Sequence, residues 1–332
     1  MICCLRRGLQ SSKRHLISID RCLKSATNRT PNVSRSLSTI DTNSSDTTYE
    51  IIEPYKWLNR KRIIHEDILK PDYADTGVVS QRYDRIKTRD QLVAIAKSCK
   101  IAKTILTEVG NRLAVGVTGE DIDDMVFDLC QTYRCYPSPL NYRGFPKCVT
   151  TSVNNVAVHG IPDTRALVAG DIITVDVSIY FEGFHGDCAH TYIIGECSDE
   201  RTQHLLNVSQ LCLLEAIHVC RDGQKLSEIG ATIERTAKEY GFNVIREFCG
   251  HGIGSNLHEP PQVLHYRHDS DETIKENMCI TIEPVITEGS ADVVIDGSDG
   301  WTVSTEDNSR TAQFEHTLCI TKDGAIILTE ID

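Results

Sequence analysis

The 332-residue chain has no run of about 18 apolar residues, so no segment reads as a membrane span. Its 14 cysteines include no Cys-x-x-Cys pair, and nothing at the start has the form of a secretion signal. Zinc-finger and thiol-redox roles therefore have little support. Cys3, Cys4 and Cys22 lie near the start; the rest are scattered and read as reduced, mostly buried small apolar residues. Basic charge is scarce beyond residue 40. Residues 1–40 hold eight Lys/Arg against one acid, Asp20, which leaves 27 basic and 46 acidic side chains behind them. So acidic a body lacks the positive footprint that phosphates require, which argues against a nucleic-acid partner.

What is present begins with that prefix. It is basic, acid-poor and Ser-rich, and Ile2, Leu5, Leu9, Leu16, Ile17 and Leu23 are interspersed with its Arg and Lys. This is the composition of a mitochondrial transit peptide, with Arg35–Thr39 as a place for cleavage. Residues 1–40 are set apart from the fold for that reason, and a mitochondrial address is expected. Residues 41–87 read as a linker and an extended arm, and 88–332 as the catalytic domain.

Thr88-Arg-Asp-Gln91 has the form of a capping box. Leu92, Ile95, Ala96, Cys99, Ala102, Ile105, Leu106 and Val109 follow it at helical spacing. A second helix is predicted from near Glu120 to Tyr133. Asp171 to Tyr180 alternates as a strand, turns at Glu182-Gly183 and returns through Thr191 to Ile194. Two further helices are expected over Leu205–Val219 and Ser227–Tyr240, the latter stopped by Gly241, with strands over 278–286 and 314–329. A shift of 107 residues lays Val115-Gly116 and Ile122 on Asp222-Gly223 and Ile229, and lays Asp176 on Glu283. The chain thus reads as a duplicated helix–helix–sheet unit, with halves of about 88–197 and 198–332.

Five residues carry the most chemistry: Asp176, Asp187, His251, Glu283 and Glu315. Asp176 alternates with Val175 and Val177, so it faces away from them, and the hairpin brings Asp187 to within a residue or two of facing it. Two acids so placed repel unless a cation lies between them. His251 stands among three glycines in Cys249-Gly-His-Gly-Ile-Gly254, backbone expected to turn tightly or to approach a ligand closely. Glu283 and Glu315 are acids within apolar, strand-like strings. Four carboxylates and an imidazole form a hard donor set suited to a catalytic pair of Mn, Fe, Co or Zn ions, for which hydrolysis is the leading chemistry.

The strings TSVNN, HGIPD, GDIITVDVS, FHGD, GHGIG, HEPPQVLHY, TIEPVITEG, DGWTV and AQFEHT together carry a resemblance. From about Pro71 onward the chain resembles the type I methionine aminopeptidases, of the pita-bread metallopeptidase fold. The resemblance implies an α+β architecture of pseudo-two-fold antiparallel sheets with helices packed outside. It implies Asp176, Asp187, His251, Glu283 and Glu315 as ligands of two divalent ions, with Asp187 and Glu315 bridging and Glu283 handling the proton of the attacking water. It further implies His159 and His258 as contacts at the scissile amide, and Tyr142, Phe145 and Trp301 as walls of the methionine pocket. The implied substrate is the N-terminal methionine of nascent peptides followed by a small residue, met close to the ribosome.

Glu283 and Glu315 are 32 residues apart, which leaves no room for the helical insert of the type II enzymes. The large N-terminal domain of the prolidases and the zinc-finger region of the cytosolic type I forms are also missing. A short acidic body behind a presequence looks most like the mitochondrial form. Arg143, Leu257, Cys188 and Pro260 depart from the usual pattern and bear on pocket shape and rate. An X-Pro aminopeptidase of the same fold, or a binding protein that has lost catalysis, are the alternatives.

Overall fold

The computed structural model describes residues 49–80, 83–197 and 199–330; the prefix 1–40 lies outside them. Regular structure begins where the capping box predicts. The Thr88 hydroxyl accepts from the Gln91 amide at 3.3 Å, and the Gln91 side chain accepts from the Thr88 amide at 2.8 Å, which starts helix α1 (Arg89–Gly110). Thr118 and Asp121 repeat this pairing ahead of α2 (Gly119–Thr132). In the second half α3 (Glu200–Val219) starts ahead of the expected Leu205. Asp199 is the reason: its carboxylate caps the helix, accepting from the Arg201 amide at 2.9 Å. Helix α4 (Leu226–Glu239) ends at Gly241, whose φ of +80° lets its amide and that of Phe242 bond back to Lys238 and Ala237.

Every strand pairing is antiparallel. β4 (Ile172–Phe181) and β5 (Phe184–Ile193) form a ten-residue hairpin. Glu182 and Gly183 join them, both at positive φ, the two-residue turn that matches strand twist. On the other edge of β4 lie β1 (Tyr136–Pro137) and β2 (Thr150–Val153). β3 (Val156–Val158) leads into a separate small sheet with β11 (Val293–Ile295) and β12 (Val303–Thr305). The second half contributes β7 (Cys249–Gly252), β8 (Glu259–Leu264), β9 (Cys279–Ile282), β14 (His316–Ile320) and β15 (Ala325–Ile327) in one sheet, ordered β15-β14-β9-β7-β8. β6 (Asn243–Val244), β10 (Val285–Thr287) and β13 (Thr311–Gln313) make a second small one.

Alternation divides the β4–β5 hairpin into two faces. Ile173, Val175, Val177 and Ile179 join Ala102, Ile105, Leu106 and Val109 of α1 in a fully buried core, and Asp176 and Ser178 are left on the opposite face. The helix sits very close. A Cβ added at Gly186 would fall 2.4 Å from the Cys99 amide nitrogen, so only glycine admits α1 there.

The 107-residue register is visible in the backbone. Thr118 bridges Ala166 as Lys225 bridges Thr273, and Gly116 donates to Leu167 as Gly223 donates to Ile274. The outer strands are offset further. Ile194 bonds to Asp171 as Ile320 bonds to Met278, so β14 lies 126 residues beyond β5 because β11 and β12 are inserted before it. Two threonine hydroxyls, at matching positions of the halves, clasp them together: Thr191 donates to the Gln313 carbonyl at 2.7 Å and Thr317 to the Asp187 carbonyl at 2.8 Å.

The described residues between 51 and 87 contain turns but no helix or strand, and they share one unit with the remainder of Ile51–Asp332. Asn155 holds the Ile52 backbone from both sides (2.6 and 3.1 Å), and Arg62 pairs with Asp123 and Asp124. Tyr73 is buried, and Lys87 forms a buried pair with Glu259 at 2.5 Å.

Candidate active site

Asp176 stands mid-strand on β4 and is opposite Ala189; two rungs on, Ser178 is opposite Asp187. The Ser178 hydroxyl donates to Asp187 Oδ1 at 2.7 Å, and the Thr150 hydroxyl donates to Asp176 Oδ2 at 3.4 Å. His251 sits within β7, not in a turn. The glycines beside it serve strand packing instead: a Cβ at Gly250 would meet the Thr281 carbonyl at 2.4 Å, and one at Gly252 the Pro260 carbonyl at 2.3 Å. The two glutamates also depart from the expected continuous strands. Glu283 occupies the break between β9 and β10, and Glu315 the break between β13 and β14. At a break the side chain is released from strict alternation and can turn toward the acids of the other half.

These five side chains converge. Asp187, His251 and Glu315 present ligand atoms all within 4.8 Å of one another, and His251 Nε2 lies 3.4 Å from Glu283 Oε1. Asp176 and Asp187 lie close enough for their carboxyls to perturb one another. His251 Nδ1 contacts the Gly252 carbonyl at 2.9 Å; a carbonyl only accepts, so Nδ1 carries the proton and Nε2 offers its lone pair to the acids. Thr281 accepts from the His251 amide at 3.0 Å and donates to Glu283 Oε1 at 2.7 Å. Gln313 donates to the Glu283 carbonyl at 3.2 Å.

The electrostatics ask for a cation. Burial, with Asp176 and Glu283 adding repulsion, holds the Asp187 carboxyl well above its ordinary range, and Glu315 is raised by burial and the same crowd of acids. Burial pushes Asp176 up to about 6 and Glu283 up to about 8. Asp176 Oδ1 and Glu315 Oε1 are buried without a hydrogen-bond partner among the described residues. Orphaned oxygens, a lone pair aimed among them and four crowded acids fit divalent metal.

All ten residues singled out in the sequence line one cavity of about 480 Å³, a volume suited to a small ligand. His258 Nδ1 is 2.6 Å from the Tyr142 hydroxyl, and its ring centroid is 4.2 Å from that of His251. Burial, helped by His251, holds His258 well below the ordinary imidazole range, and burial alone pushes His159 down to about 4. His159 has a φ of +58°, a conformation that costs about 1–3 kcal/mol in a residue with a side chain and that gathers at functional sites. It holds the position in its half that His258 holds in the other: each follows by six residues the strand residue, Val153 or Gly252, that pairs with Ile173 or Ile280. Phe145 and Trp301 meet edge to face at 5.2 Å and close one end.

Sequence reasoning missed the second tier: Thr150, Ser178, Thr281, Gln313 and Lys87. Ser178 was accessible, since it shares the Asp176 face at i+2. Thr281 and Gln313 each lie two residues before Glu283 and Glu315, inside strings already quoted, whereas Thr150 and Lys87 are brought in from elsewhere in the fold.

Metallopeptidase family M24 matches the chain over residues 93–322. Human "Methionine aminopeptidase 1D, mitochondrial" is 46% identical over 270 residues, 81% of this chain and 80% of the relative. The crystal structure of methionine aminopeptidase from Rickettsia prowazekii is 36% identical with a TM-score of 0.72, covering 74% of this chain and 99% of that one. Prolidase from Pyrococcus furiosus, 20% identical with a TM-score of 0.60 over 75% of this chain and 66% of that one, shares the fold alone. With the antiparallel α+β architecture and the acid-lined cavity already described, these likenesses assign the chain to metallopeptidase family M24, in the branch of the methionine aminopeptidases.

Proposed function

We propose that the protein removes the initiator methionine from nascent chains, prefers a small second residue, and uses two divalent ions to do so. The observation that carries this reading is the convergence of four carboxylates, three histidines and an aromatic wall on one cavity. Asp176, Asp187, His251, Glu283 and Glu315 would hold the ions (Co, Mn, Fe or Zn). Bound there, such ions polarise a carbonyl and make water acidic near neutral pH.

The remaining chemistry belongs to the chain. Glu283 accepts a proton from the attacking water and returns it to the departing amine. His258 stays neutral and, with the Tyr142 hydroxyl as donor, accepts its hydrogen bond at Nδ1, so Nε2–H is free to donate to the carbonyl oxygen as negative charge builds on it. His159 hydrogen-bonds the amide nitrogen that leaves. Tyr142, Phe145 and Trp301 enclose the thioether, an apolar and polarisable group for which aromatic surfaces are apt.

Residues 88–332 are read as the catalytic part, in halves of about 88–197 and 198–332, and 1–40 as a mitochondrial presequence, in keeping with the mitochondrial names of relatives. Initial rates on Met-Ala-Ser, Leu-Ala-Ser and Ala-Pro peptides with Mn²⁺ or Co²⁺ supplied test the activity. Preference for Met-Ala-Ser is expected. Preference for Ala-Pro, or no hydrolysis of any, would overturn the reading.

A further inference from the structure

His265, at the end of the PPQVLH string, follows β8 and is 1% exposed. Its Nε2 accepts two backbone amides: that of Gly250 at 3.2 Å and that of Glu283 at 3.3 Å. The first immediately precedes His251; the second belongs to Glu283 itself, at the break where the β9 ladder has stopped. A single ring nitrogen thus ties together the two backbone segments that deliver these side chains to the site. Gly250 is shaped to permit it, since a Cβ there would lie 3.3 Å from His265 Nε2 as well as against Thr281.

We propose that His265 is a positioning residue that fixes the separation of His251 and Glu283 through their backbones. The inference rests on the assignment of those two residues as metal ligands. Because Nε2 accepts twice, the proton resides on Nδ1, and the ring must stay neutral to do its work. Without this acceptor the Glu283 amide would be left in a strand gap with no ladder partner, and a buried orphan amide is relieved by moving.

Two isopolar variants separate this role from plain packing. In His265→Gln the side-chain oxygen reaches the position of Nε2; in His265→Asn the carboxamide reaches only that of Nδ1. Metal-free protein is examined first, by amide hydrogen exchange and circular dichroism, then Mn²⁺ binding by calorimetry and steady-state kinetics follow. His265→Asn is expected to fold, to exchange the Gly250 and Glu283 amides faster, and to lose about tenfold to a hundredfold in Mn²⁺ affinity, the usual effect of removing a group that orients ligands. kcat should fall while KM changes little. His265→Gln should recover most of the protection and affinity. Equal exchange and equal Mn²⁺ affinity in wild type and His265→Asn would overturn the proposal, as would an unprotected Glu283 amide in wild type should either variant fail to fold. Asp187→Asn serves as the control: Mn²⁺ binding that survives it refutes the metal site itself, whereas loss there with no effect at His265 refutes only the positioning role.

Discussion

Tyr142 and His258 are joined by a 2.6 Å contact between the phenol oxygen and the imidazole Nδ1, although 116 residues separate them. With the phenol as donor, the imidazole keeps its remaining proton on Nε2. Tyr142→Phe keeps the ring and the pocket wall and removes only this bond. A neutral hydrogen bond contributes about 1 kcal/mol, so kcat should drop roughly three- to tenfold with KM almost unchanged. Steady-state kinetics on a Met-Ala-Ser peptide checks this; a rise in KM alone would mean that Tyr142 acts only as pocket wall.

Asp187 has the most crowded position among the acids, within reach of His251, Glu315 and Asp176. Asp187→Asn keeps the shape and the Ser178 contact but withdraws a charge. The variant should remain folded, fail to retain metal and show no measurable turnover. Elemental analysis after dialysis, alongside activity, decides the point. Near wild-type turnover would contradict the assignment.

His190 lies outside the acid cluster, packed on Tyr192 and Phe314, and burial followed by the nearby Lys103 lowers it to about 4. Between that value and the ordinary 6.5, only the unfolded chain takes up the proton. Stability from this group is therefore complete above pH 6.5 and is lost progressively as pH falls toward 4. Going from pH 7 to pH 5 should cost about 2 kcal/mol through His190. Denaturant titrations at the two pH values should find the His190→Gln protein less acid-sensitive by that amount; an identical loss in both proteins would refute the prediction.

Residues 1–40 fused to a fluorescent reporter should send it to mitochondria. Deleting them from the full chain should leave peptide hydrolysis in vitro intact. Diffuse cytosolic fluorescence would show that the basic prefix has no addressing role.

How far the sequence could be read depended on how local the cause was. The capping box at Thr88 and the stop at Gly241 were legible because each is settled within a few residues. Glu283 and Glu315 were legible as acids out of place, yet their lodging at strand breaks was not, since a break arises when the opposite strand ends, and that strand is distant in sequence. The glycines around His251 signalled crowding correctly but not its source, which is the neighbouring backbones at Thr281 and Pro260. His265 gave no signal at all. A histidine in an apolar string looks like filler until the two amides that point at it are located in space.

The paired clasp of Thr191 and Thr317 has a further meaning. Its bonds run from hydroxyl to main-chain carbonyl, so the symmetry of the frame asks nothing of the side chains at neighbouring rungs. Under the 126-residue offset, Asp187 corresponds to Gln313 and Glu315 to Ala189. Each half is thus free to keep an acid at a rung where its twin has none. A nearly two-fold cradle in this way acquires a distinct left and right, which is what a machine needs if it is to grip one end of a polypeptide and ignore the other.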